Sequence, residues 1–457
     1  MLSLAPMEKK NTVNPAPEKP GDDGSFQVRI EKLVTGGAGL GRHEGQAVFV
    51  ARTAPGDLAD VRVVEARKGF LRAEVVAILE NGSDRREAPC PHYGECGGCD
   101  LQHLGEDAQR KGKAEIVLDC FQRLGKLDVS GLLAGPRPGG ELGYRNRIRL
   151  YSSPTGRYGL MRRGTHDVVE LDACPLMPER FNLEILPWLR FLPPVDQIVV
   201  RMDGREDERS RWILSIFGQP PRLKVLRKII SALGPGEAPA PGCAGILFNN
   251  LPVWGRDYLL YTVAGHTLRA GVQSFFQGNL AVTEQAVALA RDWIVELRDR
   301  GSLGPLLGDL FCGVGLFTLT LADLFEKIVA IDSDQPACRD AINNIARDDA
   351  ARGKATVHTG PLAQVMGQAD LASPAEWASS LCLVDPPRTG LGKEGVDALL
   401  KADPRHILYM SCDPATLARD VGRLHAAGYA PRRLEVLDMF PQTAHIESLM
   451  LLERDAQ

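Results

Sequence analysis

The sequence has 457 residues, of which 44% are hydrophobic and 25% charged, with a formal net charge of −4. This is the composition of a globular protein with several domains. The net charge argues against a surface coated in basic charge, although a local basic groove could still bind nucleic acid. No run of apolar residues reaches the ~18 residues that a membrane span needs.

Residues 1–25 are rich in Pro, Lys, Asp and Gly and lack the apolar core of an export signal. They are predicted to be disordered, and the chain is expected in the cytoplasm. In that reducing compartment, clustered thiols indicate metal binding or catalysis rather than disulfides.

Residues 26–83 alternate short apolar segments with turns at Gly36–Gly41 and Ala54–Asp57. Five or so short strands without a helix predict a small OB-like β-barrel. Such barrels often bind single-stranded nucleic acid, and a structural or dimerising barrel is an equal alternative.

Residues 84–268 are predicted to form an α+β middle domain that opens with three closely spaced cysteines, Cys90, Cys96 and Cys99. Thiolates at this spacing, with glycines between them, can surround an iron–sulfur cluster. A site of four ligands needs one more, and Cys174 is the best candidate. Zinc is the alternative, with His92 or His103 completing a tetrahedral site.

Residues 269–457 change to alternating helices and apolar strands, with helices predicted at 284–298 and 317–325. The predicted strands are 306–311, 328–332, 381–385 and 407–411. This alternation predicts a doubly wound, mostly parallel α/β sheet of the Rossmann-like kind.

A nucleotide-binding turn is predicted where the first of these strands runs through Phe311 into Gly313-Val314-Gly315. Asp332 follows about twenty residues later, where an acidic side chain can bind ribose hydroxyls. Thr318 stands where the third glycine of the dinucleotide fingerprint would fall, which argues against a nicotinamide or flavin cofactor and leaves an adenosyl cofactor open. A close-packed turn without a ligand is the alternative.

Three reactive side chains are predicted at the carboxyl edge of the same sheet, where ligands bind in such folds. Cys412 ends an apolar strand, Asp385 ends another, and Glu447 enters the last one. A thiol beside two carboxylates suits covalent catalysis with a separate base. The alternatives are a helix cap for Asp385 and a buried apolar role for Cys412.

Nearly all of the chain after residue 25 resembles the S-adenosylmethionine-dependent uracil-C5 RNA methyltransferases, most nearly those that modify 23S ribosomal RNA. Ser411–Asp420 and Leu437–Glu447 are its most specific motifs. The resemblance implies that the barrel is a TRAM domain and that the basic strand Tyr144–Arg149 lies near RNA. It also implies a 4Fe-4S cluster on Cys90, Cys96, Cys99 and Cys174.

The same resemblance implies a reaction in which Cys412 adds to uracil C6, C5 takes the methyl group, and Glu447 removes the C5 proton. The implied residues for S-adenosylmethionine are Gln277, Phe311, Gly313, Asp332 and Asp385. The Cys412 pKa is expected to be lowered, since the thiolate must form near neutral pH.

Three residues depart from the family pattern, namely Asp413, Leu316 and Asp332. A carboxylate at Asp413 would raise the pKa of the neighbouring thiol unless its side chain points away or donates a proton as an acid. We expect a monomer that acts on RNA and binds no membrane, with 23S ribosomal RNA as the substrate and transfer RNA as the alternative. Cytosine-C5 methylation and a non-catalytic RNA-binding iron–sulfur protein are further alternatives.

Overall fold

The computed structural model describes residues 25–192, 194–205, 207, 209–219, 223–224, 238–368 and 370–455. They form two compact units that divide after Arg85. The tail predicted to be disordered lies outside the described residues, apart from Ser25, which begins the first strand. Across the described ranges, no helix combines the length and the apolar character needed to cross a membrane.

The first unit contains the strands β1 (Ser25–Leu33), β2 (Ala38–His43), β3 (Gln46–Ala51), β4 (Leu58–Arg67) and β5 (Phe70–Glu80). They close into a barrel in the order β1-β2-β3-β5-β4, which confirms the sequence prediction. Alternate residues such as Val28, Ile30, Val48 and Val50 are buried inside it, because successive side chains of a strand point to opposite faces.

The glycine run Gly36–Gly41 was predicted as one turn, and this is wrong because β2 already begins at Ala38. A Cβ atom on Gly39 would lie 2.2 Å from Thr53 Oγ1, and one on Gly41 would lie 2.5 Å from the Arg29 carbonyl oxygen. These glycines therefore allow close approach of backbone and side chains within the small barrel.

The second unit begins with a cysteine-bearing segment and helix α1 (Glu106–Cys120), and then forms a seven-stranded sheet. Its strands are β6 (Arg147–Ser152), β7 (Tyr158–Met161), β8 (Val168–Glu170), β9 (Gln197–Met202), β10 (Trp212–Phe217), β11 (Cys243–Phe248) and β12 (Leu251–Gly255). A short helix, α2 (Leu186–Leu189), lies between β8 and β9. The strand order is β12-β11-β10-β9-β6-β7-β8.

A hairpin of β13 (Tyr258–Val263) and β14 (His266–Gly271) leads to a second seven-stranded sheet. Its strands are β15 (Leu306–Leu310), β16 (Lys327–Asp332), β17 (Ala355–Thr359), β18 (Leu381–Val384), β19 (His406–Ser411), β20 (Tyr429–Leu437) and β21 (Glu447–Arg454). Its helices are α3 (Leu280–Asp299), α4 (Leu316–Thr320), α5 (Gln335–Arg347), α6 (Leu362–Met366), α7 (Pro374–Ser379), α8 (Gly392–Ala402) and α9 (Pro414–Ala426).

This C-terminal sheet has the order β17-β16-β15-β18-β19-β21-β20. The strands from β17 to β19 pair in parallel, whereas β21 pairs antiparallel with both β19 and β20. The predicted mostly parallel α/β sheet is confirmed. The chain order reverses between β15 and β18, the kind of switch point beside which such sheets bind ligands.

The observed elements differ from the predicted ones in three places. The predicted helix 317–325 ends early, since α4 stops at Thr320 and a short 3₁₀ turn follows at Ala322–Leu324. Strands β17 and β20 were not predicted. By contrast, β18 and β19 are buried along their whole length, so packing fixes the positions of the residues that directly follow them.

Candidate active site

The sheet brings Cys412 and Glu447 to the same edge. Ser411 pairs with Ser448 across β19 and β21, so Cys412 and Glu447 lie one step further along two neighbouring strands. Because β21 is antiparallel, its first residue lies at the edge where β19 ends. Asp385 follows β18, the neighbour of β19 on the other side, and its backbone N–H donates to the Leu310 carbonyl at 3.2 Å.

The predicted nucleotide-binding turn follows β15 and has three residues with left-handed backbone angles, Phe311 (φ 68°), Gly313 (φ 56°) and Gly315 (φ 88°). The Gly313 N–H donates to Asp332 Oδ2 at 2.8 Å, which joins the turn to the end of β16. Among the residues that the structure describes, no heavy atom beyond the chain neighbours of Gly313 lies within 4 Å of a Cβ built on it. The backbone here can therefore be approached closely by a ligand.

Thr318 and Leu316 have structural roles at the start of α4. The Thr318 hydroxyl donates to Asp309 Oδ2 at 2.5 Å, and both side chains are buried. Leu316 is buried in the core beside α4, so a polar contact from this position is absent. Thr318, which replaces the third glycine of the fingerprint, therefore forms a hydrogen bond to the strand before the turn.

Gln277 lies between β14 and α3 and is largely buried. Its carbonyl oxygen accepts a hydrogen bond at 2.9 Å from Nδ2 of Asn146, the residue before β6. A Cβ atom on Gly278 would lie 3.2 Å from Phe440, so this segment packs on the loop before Glu447. On the basic strand, Arg149 is exposed and Arg147 is partly buried.

The two carboxyl groups of the site have raised pKa values. Loss of hydration, together with repulsion from Asp309 and Asp332, raises the pKa of Asp385 to about 7. Burial also raises the pKa of Glu447 well above its ordinary value, with repulsion from Asp385 adding and attraction from Arg388 opposing. Such displaced pKa values are common where proton transfer takes place.

The Cys412 thiol also has a raised pKa, so the expectation of a lowered value is wrong for this structure. Burial, together with repulsion from Glu447 and Asp385 and against the attraction of Arg388, raises the pKa of Cys412 to about 11. The sequence placed these groups together, but it could not supply their burial or the sign of their mutual influence.

Arg388 and His445 were not predicted as site residues. The Arg388 guanidinium donates to the His445 ring, with nitrogens 3.1 and 3.3 Å apart, and His445 lies edge-on to Phe440. Burial, followed by repulsion from Arg388, lowers the pKa of His445. The sequence could have indicated both residues by their positions next to predicted site residues. Arg388 follows Asp385-Pro386-Pro387, and His445 lies two residues before Glu447.

The Asp413 carboxylate serves as the N-cap of α9. It accepts hydrogen bonds from the backbone N–H groups of Ala415 at 3.0 Å and Thr416 at 2.9 Å. Asp and Asn are comparably good at this position, because either side-chain oxygen can accept from the first turn. The carboxylate is therefore directed at the helix N-terminus.

The four predicted cluster ligands, Cys90, Cys96, Cys99 and Cys174, line one pocket together with Arg145. All four are free thiols, and burial raises the pKa of Cys99 to about 12. Among the described residues, no group of three or more His, Cys, Asp or Glu side chains is placed to hold a single metal ion.

Arg145 supplies positive charge at this pocket. Its Nε is buried and has no hydrogen-bond partner among the described residues, and its charge lowers the pKa values of Cys96, Cys99 and Cys174 against the larger effect of burial. His103 Nδ1 and Tyr93 Oη share a hydrogen bond of 2.6 Å. His92 lines the pocket.

Comparison with known proteins gives matches to both units. A family model described as tRNA (Uracil-5-)-methyltransferase matches residues 253–455, and a TRAM domain model matches residues 25–76, which identifies the barrel as a TRAM domain. A 23S rRNA (uracil(1939)-C(5))-methyltransferase from Cronobacter sakazakii is 33% identical over 94% of this chain and 96% of its own length. An uncharacterised RNA methyltransferase from Aquifex aeolicus is 34% identical over 94% of this chain and 99% of its own.

Among solved structures, the tRNA (uracil-54, C5)-methyltransferase from Pyrococcus abyssi, in complex with S-adenosyl-L-homocysteine, aligns with a TM-score of 0.69. The alignment covers 93% of this chain and 99% of that one, at 21% identity. At this identity the likeness shows that the two chains share a fold.

Proposed function

Because this chain belongs to the family of S-adenosylmethionine-dependent RNA uracil-C5 methyltransferases, we propose that it methylates one uridine of 23S ribosomal RNA through a covalent adduct on Cys412. The observation that carries the proposal is the placement of Cys412, directly after β19, next to Glu447, the first residue of the neighbouring strand β21, with Asp385 directly after β18 on the other side. Family membership makes the chain an enzyme, which disfavours the non-catalytic alternative.

Uracil C5 is a weak nucleophile, and the proposed residues overcome this in two steps. The Cys412 thiolate forms a bond to C6, which places electron density on C5. S-adenosylmethionine, when bound, supplies the electrophilic methyl group and a positive charge. Glu447 then takes the C5 proton, and the bond between Cys412 Sγ and C6 breaks to restore the ring.

The residues proposed to hold the cofactor are Gln277, Phe311, Gly313, Asp332 and Asp385. The turn around Gly313 offers open backbone, and the Asp332 carboxylate at the end of β16 is suited to ribose hydroxyls. Asp385 lies beside the switch point, where its carboxylate, when ionised, favours a positively charged ligand.

The covalent step is tested by incubating the protein with unmodified ribosomal RNA and S-adenosylmethionine labelled in the methyl group. We expect label at uridine C5, and we expect Cys412→Ala to lose it because no other thiol is proposed to add to C6. Cys120→Ala, a buried cysteine at the end of α1, is the matched control. Label at C5 with Cys412→Ala would overturn the assignment.

The RNA substrate is tested in cells. Curated relatives at or above 30% identity are named for uridine 1939 of 23S rRNA, which supports ribosomal RNA. We expect cells without the gene to lose one 5-methyluridine from 23S RNA in a map of modified positions. Loss from transfer RNA instead would favour the alternative.

We also propose that the four pocket cysteines hold a 4Fe-4S cluster. Four thiolates match the ligand set of such a cluster, and buried Arg145 offsets part of their negative charge. A multi-iron centre needs more widely spaced sulfurs than a single zinc ion. Anaerobic purification should give a brown protein that contains iron, whereas a colourless protein with stoichiometric zinc would refute the cluster.

A further inference from the structure

We propose that Asp100, the residue after Cys99, is a positioning residue for Glu447. Residues 438–446, which connect β20 to β21, are called the base loop here because they lead directly into Glu447. Asp100 holds the base loop so that the Glu447 carboxylate reaches the C5 proton. The inference rests on the proposed role of Glu447 as the base.

Asp100 contacts the base loop with both its backbone and its side chain. The backbone N–H groups of Asp100 and Leu101 donate to the Gln442 carbonyl at 2.9 and 3.0 Å. Asp100 Oδ2 accepts from the Ala444 N–H at 2.9 Å, while Oδ1 forms an ion pair with Arg163. The two carboxylate oxygens therefore have different partners, which mutations can separate.

Helix α1, which follows the cysteine segment, adds a second set of contacts. Gln109 accepts from the Gln442 N–H at 2.8 Å and donates to Gln442 Oε1 at 2.9 Å. Lys113 Nζ donates to Asp438 Oδ1 at 2.6 Å and to the Phe440 carbonyl at 3.0 Å. Gln109, Lys113, Asp438 and Gln442 are all buried, so these bonds are shielded from water.

The backbone of the base loop is itself unfavourable without these contacts. Gln442 is wholly buried and its backbone has a φ of 67°, in the left-handed region that residues other than glycine rarely adopt. Such a conformation persists where the surroundings impose it. The bonds from Asp100, Leu101 and Gln109 all meet at Gln442, three residues before His445.

Cys412 is held mainly by elements other than the base loop. It lies between the buried strand β19 and helix α9, whose first turn is capped by Asp413. A shift of the base loop would therefore move Glu447, the first residue of β21, more than the thiol. Addition of Cys412 to C6 and methyl transfer would continue, and removal of the C5 proton would slow.

The experiment measures both steps with ribosomal RNA and methyl-labelled S-adenosylmethionine, stopped in denaturant. Wild-type protein should release RNA labelled at C5 with little bound adduct. Asp100→Ala should release product about tenfold more slowly, with KM for RNA changed by less than about twofold. It should also accumulate a denaturant-stable labelled adduct, in which Cys412 Sγ is bonded to C6 and C5 carries both the methyl group and its proton.

Two matched variants separate the base-loop contact from other effects. Asp100→Asn keeps an oxygen that can accept from the Ala444 N–H, and it should release product within about threefold of wild type. Arg163→Ala removes the ion pair but not the base-loop bond, and it should behave as wild type. Cys412→Ala should give no adduct.

Three results would overturn the inference. They are normal product release by Asp100→Ala, joint loss of adduct and product in that variant, and a defect in Arg163→Ala equal to that of Asp100→Ala. The proposed function fails in a different way, since wild-type protein would then give neither labelled C5 nor an adduct that depends on Cys412.

Discussion

Arg388 is the residue whose charge favours the ionised forms of both proposed catalytic groups. It lowers the pKa values of Cys412 and Glu447 against the larger effect of burial, and it donates to His445. The cluster of Cys412, Glu447 and Asp385 could be predicted from strand ends alone. The influence of Arg388 could not, because it depends on where an exposed side chain turns after a proline pair.

Replacing Arg388 with Met should raise the pKa of the Cys412 thiol further, since the change removes a nearby positive charge. The measurement is the rate of Cys412 alkylation by iodoacetamide as a function of pH, followed by mass spectrometry of the peptide. We expect slower alkylation than wild type at every pH below about 11. Arg352→Met, on an exposed ion pair with Asp349, is the control, and an unchanged or faster rate in Arg388→Met would contradict the assignment.

At the scale of elements, runs of apolar residues predicted the fully buried strands and missed the strands that combine buried and exposed residues. Strand β17 lies at the sheet edge and is only partly buried, so it has no continuous apolar run. Strand β20 contains Pro431 with two arginines after it, and its pairing is irregular there. The contacts of the base loop could not be predicted for another reason, since partners such as Lys113 and Asp438 are 325 residues apart in the chain.

The barrel has a buried carboxylate, Asp57, that should make the free energy of unfolding of the barrel depend on pH in the acidic range. Asp57 accepts from the N–H groups of Ala54 and Gly82 and pairs with Arg85. Burial raises its pKa, but Arg85 and these N–H groups outweigh burial, so the pKa is lowered. Because the folded pKa is below the unfolded one, its stabilisation is present above about pH 4 and is lost as the pH falls through the folded value.

Asp57→Ala should therefore destabilise the barrel by about 3 kcal/mol, because it leaves Arg85 and two N–H groups without their partner. The measurement is hydrogen exchange of barrel peptides in the full chain at neutral pH. The exposed residue Glu31, replaced by Ala, should change exchange little. Equal protection in Asp57→Ala and wild type would contradict this role.

At the scale of the whole second unit, the cysteine segment and the catalytic edge are connected through the base loop. Cys99 is followed by Asp100, and Asp100 bonds to Gln442 and Ala444. The pocket of thiols and the site at Cys412 were predicted from separate motifs. Their connection is visible only when the hydrogen bonds between residues far apart in the chain are known.

Removal of the proposed cluster with a chelator under mild conditions should loosen the base loop. We expect faster hydrogen exchange at the Gln442 and Ala444 N–H groups, since their acceptors lie on Gln109 and Asp100, next to the cysteine segment. Peptides of β15 and β16 provide the internal reference. Unchanged exchange in the base loop after iron loss would show that the segment keeps its shape without metal.

Strand β21 lies between β19 and β20, although both precede it in the chain. During synthesis, β19 and β20 therefore leave the ribosome before the strand that joins them, and each has an unpaired edge at that moment. Glu447 arrives with this joining strand. The Cys412 thiol is thus made before its proposed base, and the covalent reaction proposed for it requires β21 to be in place between β19 and β20.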